Sequence, residues 1–248
     1  MPAPTITPTP AAVPDGLIST LEQLVRSQSG ANPAFEALVD DYASYHLVLA
    51  VVGGAFAVVL AAFAWVAWKR FRRARDVGSR RWTFPAVTYL VASAAAAAVV
   101  LLLAVVVAAN VTTALDPRPA FAGAIGLVGA PAAGSPRAEL HDAFDRWLRS
   151  GDAAVPPAVQ SAVDRRIAWQ RPKAIVSGVL LLVVVVLAAG IWRPLLDPGR
   201  AGRRSRRRDG VRVGTGLAAV AAALVLMLMV MGNTQASVAP VAMTLFYG

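Results

Sequence analysis

The chain has no cysteine, only two histidines in 248 residues, and four long stretches without a single Asp, Glu, Lys or Arg. The first absence excludes a disulfide framework and thiol chemistry, and leaves the redox compartment open. The second leaves little for an imidazole metal centre: His141 and Asp145 stand four apart on one predicted helix, but no third ligand accompanies them. There is no phosphate-cradling glycine loop, nucleophile elbow or zinc-protease histidine pair. No catalytic, metal or cofactor-binding residue is therefore assigned, and the chain is expected not to be an enzyme. The first 46 residues lack a basic start followed by an apolar core, so the first apolar run is expected to be a retained span.

Charge is scarce overall. Charged residues make up 15% of the chain, against roughly 25% in soluble domains, and 57% of residues are hydrophobic. The apolar residues are gathered into uncharged runs at 47–68, 85–109, 174–192 and 213–232. Runs of about 18–20 residues are long enough to cross a bilayer as helices. The expected fold is an all-α integral membrane protein with four transmembrane helices.

The net charge of +10 resolves by segment into −4 over residues 1–46, +6 over 69–82, +2 over 111–173 and +6 over 193–212. The cations of the two short loops lie beside spans, as topology-setting cations do, which argues against nucleic acid as the partner. Both basic loops, 69–82 and 193–212, are expected to be cytoplasmic and both termini extracytoplasmic. Arg165, Arg166, Arg171 and Lys173, beside the third run, point the other way. Trp65, Trp68 and Trp82 flank the first basic loop, where interfacial tryptophans belong.

Outside the runs the pattern changes period. Leu17, Ile18, Leu21, Leu24 and Val25 share one helical face, and so do Phe35, Leu38, Val39 and Tyr42. No breaker separates the second set from the first span. Leu140, Ala143, Phe144, Trp147 and Leu148 form a third stripe, and Val159, Ala162, Val163 and Ile167 a weaker fourth. Residues 116–136 read as a Pro/Gly/Ala linker, and Pro172 as a break or kink where the third span begins. Asn110 and Asn233 read as helix caps. The uncharged tail, 233–248, reads as an apolar end lying at the interface.

The two halves resemble each other. At an offset of 123, Leu17 meets Leu140, the stretch 21–27 meets 144–150, Asn110 meets Asn233 and Pro117 meets Pro240. A near-constant offset across helix, turn, span and cap predicts an internal duplication. Residues 1–124 would be repeat 1, with outer helices at about 15–45. Residues 125–248 would be repeat 2, with outer helices at about 137–170. Two spans per repeat make the copies parallel, related by a pseudo-two-fold axis along the membrane normal. Their extracytoplasmic amphipathic hairpins would pack together as a four-helix cap.

Candidate interaction residues are Phe35, Tyr42, Phe144 and Trp147 on the outer faces, with Gly53 and Ala57 on the first span, where Gly53, Ala57 and Ala61 recur every four residues. Arg72, Arg73, Arg206 and Arg207 are candidate lipid head-group residues. Ala, Val, Arg and Gly bias suggests a GC-rich, bacterial coding sequence. The expected function is a non-enzymatic accessory or scaffolding subunit of a cell-envelope membrane complex, with the bilayer and another membrane protein or a second copy as partners. The alternative is a small transporter or channel for a neutral or apolar solute, formed between the halves or by an oligomer.

Overall fold

The computed structural model describes residues 16–27, 32–76, 82–196 and 206–248, and all regular structure among them is helical. In order the helices are α1 (Gly16–Ser27), α2 (Pro33–Asp76), α3 (Phe84–Leu115), α4 (Pro117–Ala124), α5 (Pro136–Ser150), α6 (Pro157–Leu195), α7 (Arg206–Val238) and α8 (Pro240–Tyr247), with a 3-10 turn at Ile125–Leu127 after α4. Helices α2, α3, α6 and α7 are each long and apolar enough to cross a membrane. The second amphipathic stripe and the first span are one helix, α2, of 44 residues. Helix α3 starts where the Thr83 hydroxyl accepts from Ala86 N–H, and α5 where Ser135 accepts from Ala138 N–H, both ordinary N-caps. Helix α5 stops at Gly151, whose φ of 68° suits a residue without a Cβ.

The long helices pair as two hairpins, α2 with α3 and α6 with α7, joined mainly through α2 and α7. Small residues set the close approaches. A Cβ at Gly53 would stand 3.3 Å from Val107 and 3.4 Å from Met231, so α2 touches both α3 and α7 there. A Cβ at Gly216 would stand 2.8 Å from the Trp192 indole, which fixes the α6–α7 crossing. The small-residue stripe of α2 serves this seam over one turn. Gly53 is buried, Ala57 half-buried and Ala61 exposed. On α3, Ser93 and Ala96 face inward while Ala94, Ala95, Ala97 and Ala98 are exposed. The Ser93 hydroxyl donates to Ala64 O at 3.0 Å, tying α3 to α2. Such bonds contribute roughly 0.6 kcal/mol within bilayers. Ser93→Ala is therefore expected to cost well under about 2 kcal/mol in thermal unfolding, and a larger loss would show that Ser93 holds more than this contact.

At one end the helices gather into a cap with its own core, containing Leu17, Leu21, Phe35, Leu38, Tyr42, Phe121, Phe144, Trp147, Val159 and Phe246 among others. Two sequence expectations change here. The 116–136 stretch is not a plain linker. It holds α4 and the 3-10 turn, and Phe121, Ile125 and Val128 are buried in the cap. The apolar tail does not lie at the interface either. It forms α8, with Ala242, Met243, Leu245 and Phe246 buried in the same core. Both helices begin after a break forced by proline. Asp116 (φ −135°, ψ 79°) and Ala239 (φ −120°, ψ 75°) precede Pro117 and Pro240, and the proline ring disfavours the helical conformation in the residue before it. The cap is thus the four expected amphipathic segments with α4 and α8 packed among them.

Asn110 and Asn233 are not caps. Helices α3 and α7 run on to Leu115 and Val238, and each Asn side chain donates instead to the carbonyl four residues back, Val106 O and Met229 O. Nor does Pro172 break α6, which passes through both Pro172 and Pro194. The helix is held above Pro172 by buried Val159, Ala162 and Val163, and below it by buried Ser177. That packing offsets the one backbone hydrogen bond a proline removes.

Candidate functional site

Two regions carry the polar groups of the helical bundle, the cap with its boundary to the spans and the opposite, basic end.

In the cap, cross-chain hydrogen bonds join segments far apart in sequence. Thr20 Oγ1 on α1 donates to Asp145 Oδ1 on α5 at 2.6 Å, and Arg149 holds the other oxygen at 2.9 Å. Asn32, just before α2, accepts from Phe35 N–H and donates to Leu148 O at 2.7 Å, so one side chain starts α2 and ties it to the end of α5. Glu36 pairs with Arg118 of α4, and Arg137 of α5 donates to Phe246 O of α8. Phe35, Tyr42, Phe121 and Phe246 meet edge-on or tilted, with centroids 5.4–6.1 Å apart, the arrangement aromatic quadrupoles favour.

Asp41 is the most consequential of these groups. It lies six residues before the uncharged run that starts at Leu47, and its Oδ2 accepts from Ala242 N–H at 2.8 Å, at the start of α8. Burial pushes its carboxyl up from 3.8 to about 6, against backbone N–H donors from Ala242 and Val241 that pull it down. With the folded value raised, the Asp41 contribution to stability is full below about pH 4 and is lost as the pH rises through about 6. Asp41→Asn removes this titration. The wild type is expected to melt relatively higher against Asp41→Asn at pH 4.5 than at pH 7.5, by an increment of the order of 2 kcal/mol. A difference that stays constant across this range would contradict the assignment.

At the boundary, His46 Nδ1 lies 2.7 Å from Asn110 Oδ1. Because Asn110 Nδ2 donates to Val106 O, its oxygen faces the ring, and Nδ1 is assigned as the protonated nitrogen. Tyr42 and Tyr45 pack edge-on against the imidazole at 4.6 and 5.2 Å. Gln235 of α7, itself buried, donates to Tyr45 O at 3.3 Å. This polar belt joins α2, α3 and α7 immediately above the spans.

The basic end is lined by cations on aromatic faces. Lys69 Nζ is 5.0 Å from the Trp65 ring centroid, and Arg70 is 6.0 Å from Tyr89. Arg75 lies 5.8 and 5.6 Å from Phe71 and Trp82, which stack on each other.

Among the sequence-derived candidates, Phe35, Tyr42, Phe144 and Trp147 are all buried, at 8% exposure or less, in the cap core, and Trp147 Nε1 donates to Asp152 O. Gly53 and Ala57 line the α2 side of the inter-hairpin seam. Arg72 and Arg73 are exposed at the end of α2. The side chains of Arg206 and Arg207 lie outside the described residues, although both belong to α7. His141 is buried in the cap while Asp145 is engaged by Thr20 and Arg149, so the two serve packing and cross-linking respectively. Sequence reasoning missed Asn32, Asp41, Phe121 and Phe246. The aromatic pair was detectable as large rings two and six residues past Pro119 and Pro240. Asn32 carried a local signal for starting α2, an Asn directly before a proline, but its bond to Leu148 and that of Asp41 to Ala242 carried none, because the partners lie 116 and 201 positions away.

Four long helices, each with no more than 17% of its most apolar window buried inside the protein, make this an all-helical multi-pass membrane protein. A scan against protein-family models, a search of curated proteins and a search of solved structures each find no match to the chain.

Proposed function

We propose that the chain is a non-enzymatic accessory or scaffolding subunit of a cell-envelope membrane complex, built from two tandem two-span repeats. The duplication is supported by the recurrence of one element order: outer helix, long helix, long helix, eight-residue helix. It is also supported by the matching backbone bends at Asp116 and Ala239 and by the shared back-bonding of Asn110 and Asn233. In this reading the cap is extracytoplasmic and the two basic loops are cytoplasmic, as short-loop cations favour.

The observation that carries the scaffolding role is the division of labour within the fold. The buried aromatic side chains of the cap core are spent on one another, while the spans keep broad uncharged faces, including Leu101, Leu102 and Val105 on α3 and Leu182, Val185 and Val186 on α6, each at least half exposed. Ionisable groups inside spans are the usual mark of an ion or substrate route, and the four uncharged runs contain none. Span faces of this kind pack on lipid or on other spans. Affinity capture after gentle extraction from native membranes, followed by mass spectrometry, tests the role. A stoichiometric membrane-protein partner or a defined oligomer is expected. A chain recovered alone and monomeric contradicts it and moves the weight to the second reading, a passage for a neutral or apolar solute between the parallel halves. Solute flux in reconstituted vesicles tests that reading.

A further inference from the structure

The cations that run against the charge rule, on the cap side of α6, have a common placement. Successive residues of an α-helix turn by about 100°, so Arg165, Arg166, Trp169 and Lys173 fall within one arc of about 100°. Lys173 Nζ sits 3.9 Å from the Trp169 ring centroid, and that ring is 66% exposed. Asp164, the only acidic residue between 153 and 196, lies outside the arc by the same rotation and accepts from Gln160. Arg165 makes one long contact with Ser161 at 3.5 Å. Below this cluster charges stop at Lys173. Val176, Leu180, Val183 and Leu187, all 46–58% exposed, continue the same arc down the span. One helix face therefore carries three cations around an exposed indole, Arg165 exposed and Arg166 and Lys173 half-buried, and directly beneath them a strip of open aliphatic side chains.

We propose that this face of α6 holds an anionic glycerophospholipid of the cap-side leaflet. Its phosphate lies among Arg165, Arg166 and Lys173, its glycerol region lies against Trp169, and one acyl chain runs along Val176, Leu180, Val183 and Leu187. The match is one of charge and depth together. Lys173 sits where the uncharged run begins, and Arg165 and Arg166 lie about 10–12 Å further along the helix, so the three long side chains bracket the head-group level above the hydrocarbon, where tryptophan also settles. Each Lys or Arg near an anionic surface contributes on the order of 1 kcal/mol, so three on one face suffice to select anionic over zwitterionic lipid. The site also gives these four side chains a role that setting the topology does not.

The test uses the full-length protein in vesicles containing phosphatidylglycerol or phosphatidylcholine with bromine on the acyl chain, which quenches nearby indoles. The Trp169 signal is obtained as the wild type minus Trp169→Phe. It is expected to be quenched at least about twofold more by the brominated anionic lipid than by the zwitterionic one, given the energies above. The triple variant Arg165→Gln/Arg166→Gln/Lys173→Gln is expected to abolish that excess, whereas Arg72→Gln/Arg73→Gln at the other end leaves it intact. Equal quenching of Trp169 by both lipids overturns the proposal, as it would if an acidic protein segment occupied the face. Survival of the excess in the triple variant also overturns it. A cap melting temperature unchanged in the triple variant separates loss of lipid from loss of fold.

Discussion

Removal of residues 240–248 is expected to dismantle the cap while leaving the four long helices formed. Helix α8 brings Ala242, Leu245 and Phe246, at 0, 0 and 3% exposure, into the core shared by α1, α2, α5 and α6. Its loss uncovers Tyr42 and Phe121, which pack on Phe246. It also leaves the half-buried Asp41 carboxylate without its Ala242 donor. Burying a charge without its partner and opening a cavity of several side chains are among the largest single destabilisations known. Phe→Ala alone typically costs about 3–5 kcal/mol, so the whole helix should exceed the margin by which a small cap is stable. Far-ultraviolet circular dichroism is expected to keep most of its helical signal. The near-ultraviolet aromatic signal should collapse, and protease should cut between residues 116 and 157. Retention of the aromatic signal and protease resistance would show that the cap does not depend on α8. Phe246→Ala, which keeps the chain length, should move both readouts in the same direction by a smaller amount.

The second large effect is expected from Phe144→Ala. This ring is fully buried at 0% exposure on α5 and packs against Trp147 with centroids 6.1 Å apart. A fully enclosed phenyl group leaves a cavity that the surrounding helices fill only in part, at a cost of about 3–5 kcal/mol. Phe144→Leu should cost much less, about 1.5 kcal/mol or below, because most of the volume is kept. Val186→Ala, on a 70% exposed face of α6, should shift stability by less than about 0.5 kcal/mol in a lipid environment. Thermal unfolding of the three variants in one detergent or lipid system checks the order. If Phe144→Ala proved as mild as Val186→Ala, the cap core would not be a packed core.

Much of this arrangement was legible in the residues. The four long helices follow from uncharged length alone, and the cap stripes follow from period. Leu17 and Leu21, Phe35 and Leu38, Phe144 and Leu148, and Val159 and Val163 all point where their spacing places them. What stayed hidden was short or non-local. Helices α4 and α8 have eight residues each, too few for periodicity to separate from irregular chain; the Pro, Gly and Ala around α4 resembled a linker, and the uncharged residues of α8 an apolar end at the interface. The Asn110 and Asn233 caps failed because polar residues near a span end are equally able to bond back to the carbonyl four residues earlier. The continuity of α6 through Pro172 depends on tertiary packing to both sides, which local propensity does not register. In the candidate sites, burial of Phe35, Tyr42, Phe144 and Trp147 followed from the amphipathic pattern. Which side chains would meet them across the cap did not, because contacts such as Asp41 to Ala242 depend on how distant helices dock.

In the proposed arrangement the cap and the two basic loops of the four-span chain lie on opposite sides of the membrane. Because the natural chain has no cysteine, single-cysteine variants report this without further engineering. Ala153→Cys marks an exposed position in the cap, while Ser79→Cys and Ser205→Cys mark the two basic loops. A membrane-impermeant maleimide applied to sealed right-side-out vesicles is expected to label Ala153→Cys and to reach Ser79→Cys and Ser205→Cys only after the vesicles are opened. Labelling of either loop position together with Ala153→Cys in sealed vesicles would contradict the four-span arrangement, and protection of Ala153→Cys with both loop positions labelled would contradict its orientation.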